Sequence, residues 1–268
     1  MLLNAKNSQV KIGNTNMDYI KFGKGKKVLV MLPGLGDGLV TVKGTALTMA
    51  FLYRCFAKDY TVYMFSRKND MKAGYTTADM ASDLKTAFDN LGIEKANLLG
   101  VSMGGMIAQH FAADYPQCVE KLILVATCAK LGEAYRSNIN YWISLAQQKR
   151  HRKFMNSNMQ LIYSPQYYRK NKPLLPVISL ITKPKSYQRF LLQADACLTH
   201  DSTDKLSSIT CPTFVIGGKQ DLVVGGNASI EIAEKIKDSK LKMYNQWGHG
   251  LYDEAKDFLP TVAEFLKQ

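Results

Sequence analysis

The 268-residue chain is defined first by what it has little of. No apolar run approaches the ~18 residues that a membrane-spanning helix needs. The opening MLLNAKNSQVKIG has no basic stretch followed by an apolar one, so no secretory leader is expected. Repeats and low-complexity segments are absent, and 46% hydrophobic with 21% charged residues is ordinary for a globular chain. Disorder, collagen and coiled coil are thereby excluded as whole-chain readings. The five cysteines (Cys55, Cys118, Cys128, Cys197, Cys211) are odd in number and show no short paired spacing. They read as free thiols rather than a disulfide frame or zinc site, which suits a reducing compartment and makes a cytoplasmic location the expectation. Acidic residues are scarce: 22 Asp+Glu stand against 35 Lys+Arg, a net charge of +13. No zinc-finger, RRM or KH signature accompanies the charge, so specific nucleic-acid binding is not expected.

The charge is concentrated. Residues 131–205 hold 12 Lys/Arg and 4 Asp/Glu, and Lys149-Arg150-His151-Arg152-Lys153 is the densest run. The plain reading is a solvated helix face. The functional readings are a field that steers an anionic acyl substrate, an acidic carrier or a membrane surface.

Short apolar runs alternate with helical patterns, which argues for βαβ units and a mostly parallel, doubly wound α/β sheet. Segments near Gln9–Ile12 and Asp18–Phe22 suggest a hairpin edge. Lys27–Leu32, Thr61–Phe65, Ala96–Gly100 and Leu122–Thr127 then read as strands, and 45–57, 76–91 and 104–113 as helices. After the sixth strand the texture changes. Residues 129–205 carry few strand signals and many Tyr, Met and basic residues, and are expected to form a helical cap inserted into a core made of 1–128 and 206–268. The core pattern resumes at Pro212–Gly217, a helix over 228–236, a strand at Lys240–Tyr244 and a last helix over 254–266.

The sharpest motif is Gly100-Val101-Ser102-Met103-Gly104. As bare text a G-x-S-x-G pattern arises by chance about once in ten chains of this length. Its position decides the matter: it follows an apolar strand and opens a helix, where a tight turn would present one serine at its tip. A serine hydroxyl needs a base, and the chain offers four histidines: His110, His151, His200 and His249. His110 falls on the helix after the turn and reads as packed or surface. His151 sits in the basic run and reads as solvated, and His200 reads as structural. His249, in Trp247-Gly248-His249-Gly250 just beyond the last strand, is free to reach over the sheet and is the candidate base. Asp221 lies four residues past the strand ending at Gly217, at the carboxyl edge where α/β sheets place chemistry, and is the candidate acid. Asp201 is the rival, read as a helix cap or hinge contact. Backbone N–H groups of Met103 and of Leu35, in Pro33-Gly34-Leu35-Gly36-Asp37-Gly38, are the candidate oxyanion donors. Gly34 would let that loop approach a substrate.

With PGLGDG, GVSMGGMIAQ, PTFVIGGKQD and WGHG in this order, the chain from about Lys27 onward resembles the α/β-hydrolase family, and its serine esterase, enol-lactonase and perhydrolase-like bacterial members in particular. The resemblance implies a Ser102–His249–Asp221 triad, acyl-enzyme chemistry on an ester, lactone or thioester, and no metal or organic cofactor. It departs from the family at the oxyanion loop, where Pro33-Gly34 replaces the common His-Gly. Branches that carry an aspartate at the elbow are argued against by Ser102. C–C bond hydrolysis, peracid formation and acyl transfer remain alternatives on the same triad, and a non-enzymatic binding module is a further one. In the cap, Tyr135, Tyr141, Trp142, Met155, Met159, Tyr163 and Phe190 are candidate substrate contacts.

Overall fold

The computed structural model describes residues 2–268. Strand residues are chosen so that alternate side chains serve two opposite cores. In β3 (Lys27–Leu32) Val30 and Leu32 face one side while Leu29 and Met31 face the other. β5 (Ala96–Val101) divides Leu98 from Leu99 in the same way, and β6 (Val119–Val125) divides Leu122 and Leu124 from Ile123 and Val125. This explains why these strands read as unbroken apolar runs rather than as alternation. A fully buried leucine of this kind contributes about 2 kcal/mol through removal from water.

The sheet has eight strands in the order β1-β2-β4-β3-β5-β6-β7-β8, where β1 is Lys6–Ile12, β2 Thr15–Gly23, β4 Tyr60–Lys68, β7 Thr213–Gly218 and β8 Lys240–Tyr244. β1 and β2 form an antiparallel hairpin, β2 pairs antiparallel with β4, and all later pairings are parallel. Helix α1 (Ala46–Leu52) shares one core with the C-terminal helices α10 (Leu251–Glu254) and α11 (Phe258–Lys267). Helices α2 (Thr77–Leu91), α3 (Met103–Asp114) and α9 (Ala228–Lys235) cover the other face. Helix α2 shows why its ends fall where they do. Thr76 and Asp79 form a reciprocal capping box at its start, and Gly92 closes it at φ 65°.

Between β6 and β7 stand five helices: α4 (Glu133–Gln147), α5 (His151–Ile162), α6 (Pro165–Asn171), α7 (Leu175–Ile181) and α8 (Gln188–Thr199). The helical insertion after the sixth strand is thus observed. Its base is pinned by an isolated bridge and an ion pair between Lys130 and Asp201, Nζ to Oδ2 2.8 Å. The last helix departs from expectation. It is broken at Ala255, whose extended ψ of 111° separates α10 from α11. Among the described residues no helix is long and apolar enough to cross a membrane.

Candidate active site

Four strand ends converge on one rim. The chain leaves β5 through Ser102, held at φ 54° and ψ −121°, a conformation that costs an L-residue about 1–3 kcal/mol. Its N–H donates to the Val125 carbonyl at 2.8 Å, and its own carbonyl accepts from Thr127 Oγ1 at 2.8 Å. The turn also needs Gly104: a Cβ there would lie 2.0 Å from the Leu32 carbonyl oxygen. The strain is therefore imposed by surrounding strands, and it lifts the serine hydroxyl above the sheet.

Asp221 follows β7 and His249 follows β8. His249 Nε2 lies 2.9 Å from Ser102 Oγ, and His249 Nδ1 lies 2.8 Å from Asp221 Oδ2. Asp221 and His249 are each 3% exposed. The other carboxylate oxygen, Oδ1, accepts from the N–H groups of Val223 (2.8 Å) and Val224 (3.0 Å), so Asp221 is fixed from both sides. The His249 loop is itself tied to the insertion: Gly250 N–H donates to the Ile162 carbonyl at 2.7 Å. An imidazole held this way can accept a proton from the hydroxyl on one nitrogen while the carboxylate orients the other.

The loop after β3 approaches from the opposite side. A Cβ on Gly34 would stand 3.3 Å from Ser102 Cβ and 3.8 Å from its Oγ. Leu35 and Met103 each open a helical turn beside the serine, and neither N–H enters a backbone hydrogen bond. The loop is locked by a buried ionic cluster that the sequence did not reveal. Asp37 Oδ2 accepts from Arg189 Nη2 (2.6 Å), Gln193 Nε2 (3.1 Å) and the Arg67 N–H (3.1 Å), while Arg67 Nη2 donates to the Pro33 carbonyl (2.6 Å). Burial alone would raise the Asp37 carboxyl, but Arg189 and Arg67 outweigh it and hold the group below the usual carboxylate range. The only available sequence signal was an aspartate between glycines in an apolar loop.

Above the serine lies a cavity of about 440 Å³. Gly34, Leu35, Trp142, Tyr163 and Phe190 line it, together with Ser102 and His249. So do Ile139, Phe154, Ile162, Val223 and Val224, which sequence reasoning did not single out. Among the described residues no Lys or Arg lines it. Trp142 is anchored by Nε1 donating to Ser157 Oγ (3.1 Å), and Tyr163 by its hydroxyl donating to Asp253 Oδ2 (2.8 Å). Four candidates lie elsewhere. Met159 is buried but off the Phe154-Asn158-Ile162 stripe by which α5 faces the cavity. Tyr135 packs over Gly225 on the loop after Asp221, Met155 packs into the core beside the cavity, and Tyr141 is half exposed. Cys197 does reach the wall, but burial pushes its thiol up to about 12, so it is no rival nucleophile.

The other histidines are accounted for. His110 and His200 are buried against each other, ring centroids 5.2 Å apart. His151 is a correction: it is not solvated but 4% exposed, 3.3 Å from Thr182 Oγ1, because the helix that turns Arg152 and Lys153 outward turns it inward with Phe154. Asp201 stays at the insertion's base with Lys130, and its Oδ1 accepts from the Thr203 N–H at 3.1 Å.

Comparison with known proteins agrees with this architecture. The profile of the alpha/beta hydrolase fold matches residues 27–256. A relative from Cronobacter turicensis, named as the carbamate hydrolase RutD, is 24% identical, the match covering 84% of this chain and 85% of that one. The 2-hydroxy-6-oxo-6-phenylhexa-2,4-dienoate hydrolase of Comamonas testosteroni is 24% identical over 98% of this chain and 96% of its own. Among solved structures, the enol-lactonase from Burkholderia xenovorans superposes with a TM-score of 0.82 at 20% identity, covering 97% of this chain and all of the other. The chain belongs to the α/β-hydrolase fold family and is an enzyme of that family.

Proposed function

We propose that the chain is a serine hydrolase that cleaves a neutral, apolar carboxylic ester, lactone or thioester through a Ser102–His249–Asp221 triad. The observation that carries this reading is the unbroken contact from Asp221 through His249 to a strained Ser102 at the floor of an apolar cavity. His249 Nε2 takes the Ser102 proton as Oγ attacks the carbonyl carbon. The Leu35 and Met103 N–H groups receive the charge that develops on the carbonyl oxygen. Asp221 stabilises the imidazolium, which returns its proton to the leaving oxygen or sulfur. A water then enters, loses a proton to His249, and splits the acyl-enzyme. No step calls on a metal or organic cofactor. The helices of 129–205 act as a cap whose inner surfaces, Trp142, Tyr163 and Phe190, grip the acyl chain.

Carbonyl chemistry of this kind also covers a carbamate, the bond named for the first relative. C–C hydrolysis is the second reading, favoured by the relative that takes a dienoate. A dienoate carries a carboxylate, however, and no cationic side chain lines this cavity. An anionic substrate is for the same reason not supported by the cavity, whatever the charge of the cap. The test is a series of p-nitrophenyl esters of rising chain length, with fluorophosphonate labelling beside it. We expect labelling at Ser102 and kcat/KM rising beyond acetate as the chain fills the pocket. Labelling without turnover of any ester would move the reading to C–C or transfer chemistry, and failure of a folded protein to label would end it.

A further inference from the structure

From Ala134 to Ala194 the chain holds 11 Lys/Arg and no Asp or Glu. Among the described residues none of these cations lines the cavity, and five of them flank α7 in sequence. That helix and the turn before it leave Leu174, Val177, Leu180 and Ile181 at 55, 61, 77 and 75% exposure. At 100° per residue the four fall on one face, while Leu175 and Ser179 are buried on the opposite one. Flanking this face in sequence are Arg169, Lys170, Lys172, Lys183 and Lys185, all exposed and none in an ion pair among the described residues.

We infer that the outer face of the insertion, from Arg169 to Lys185, docks on an anionic lipid bilayer. Scattered exposed aliphatics are unremarkable on a folded surface, but four on one face of a short helix and its leading turn, flanked by five unpaired cations, are the arrangement by which a helix lies in a membrane interface. The aliphatic side chains enter the acyl boundary, and the lysines and arginines meet lipid phosphates. Charge complementarity selects this occupant over a second copy of the chain, which would bring the same unpaired cations against these. Docking here leaves the active site intact, because α7 packs on α5 and the cavity lies against the Phe154-Asn158-Ile162 stripe of that helix. The inference does not depend on the chemistry proposed for Ser102.

The test is co-sedimentation of the full chain with vesicles of phosphatidylcholine alone and with vesicles that also contain phosphatidylglycerol. Binding is expected only to the anionic vesicles and should weaken as salt rises. Replacing Lys170, Lys172, Lys183 and Lys185 by Gln should lower the partition coefficient about fivefold per charge. Leu180→Asp with Ile181→Asp should lower it at least tenfold, with melting temperature and turnover of a soluble ester unchanged. No sedimentation of the wild type with anionic vesicles overturns the inference. So does undiminished binding of the Asp variant, or a dimer in sedimentation equilibrium that the same variant dissolves.

Discussion

Two buried polar assemblies meet at the sheet's carboxyl edge and are built on opposite terms. In the Ser102–His249–Asp221 line both imidazole nitrogens, both Asp221 oxygens and the serine hydroxyl have partners. In the seam between α8 and the core, Asp37 Oδ1, Arg67 Nε and Nη1, Gln193 Oε1 and His110 Nδ1 meet no polar partner among the described residues. A group that must pass a proton needs each lone pair assigned, or the imidazole adopts the wrong tautomer. A group that only holds a loop needs its charge matched but not every lone pair filled, and an unpaired atom there costs stability rather than rate. The first assembly should therefore fail in turnover while staying folded, and the second should fail in folding.

The largest effect expected is on the first assembly. Ser102→Ala should lower kcat by about 10⁵–10⁶-fold, and His249→Ala by a similar factor, with unchanged thermal unfolding. Asp221→Asn should lower kcat about 10⁴-fold, since Asp201 is engaged by Lys130 and offers no substitute. Ser102→Gly sharpens the contrast: it removes the proposed nucleophile and also the positive-φ strain, so stability should rise by about 1 kcal/mol as activity is lost. A loss of stability in Ser102→Gly would show that the elbow is not strained.

The seam should respond in the other direction. Arg189→Met leaves Asp37 buried with one cation fewer, and urea unfolding should report a loss of about 3 kcal/mol. Arg189 also donates to the Asp37 and Arg67 carbonyls, so the loop after β3 should loosen and kcat should fall without abolition. Asp37→Asn combined with Arg189→Met should cost less than the two single changes summed, because they break one contact. Strict additivity would mean that the cluster does not act as a unit.

The contrast also explains what was legible in the sequence. The elbow, the hairpin and the parallel strands announce themselves locally, because a strained turn needs its glycine and a strand buried on both faces needs an unbroken apolar run. Asp221 and His249 could be placed because each follows directly on a strand end. The Asp37–Arg67–Arg189 cluster joins positions up to 152 residues apart, and no local pattern specifies such a meeting. The cavity wall was half legible for the same reason. Aromatic residues of the insertion were identifiable, but whether Trp142 or Met159 faces inward depends on how α4 and α5 settle on the core. His151 shows the opposite error: composition suggested a solvated run where helical periodicity hides one member in five.

The last prediction separates the two assemblies by pH. His200 Nδ1 lies 2.8 Å from Thr77 Oγ1, and the residue is 3% exposed. Burial foremost, then the neighbouring His110, lowers its pKa to about 3, with the Cys128 backbone and then Asp201 opposing. In the unfolded chain a histidine titrates near 6.5. Between these values the unfolded state binds the proton and the folded state does not, so stability is full above about pH 6.5 and is lost as pH falls toward 3. By pH 5 this one group should remove about 2 kcal/mol. Urea unfolding of wild type and His200→Gln at pH 7 and pH 5 measures it, since glutamine keeps a donor for Thr77 but cannot titrate. The variant should show a shallower acid loss, while its kcat at pH 7 should stay within about twofold of the wild type if His200 belongs to the seam and not to the chemistry. An unchanged pH slope would mean that the proton enters the folded seam without opening it.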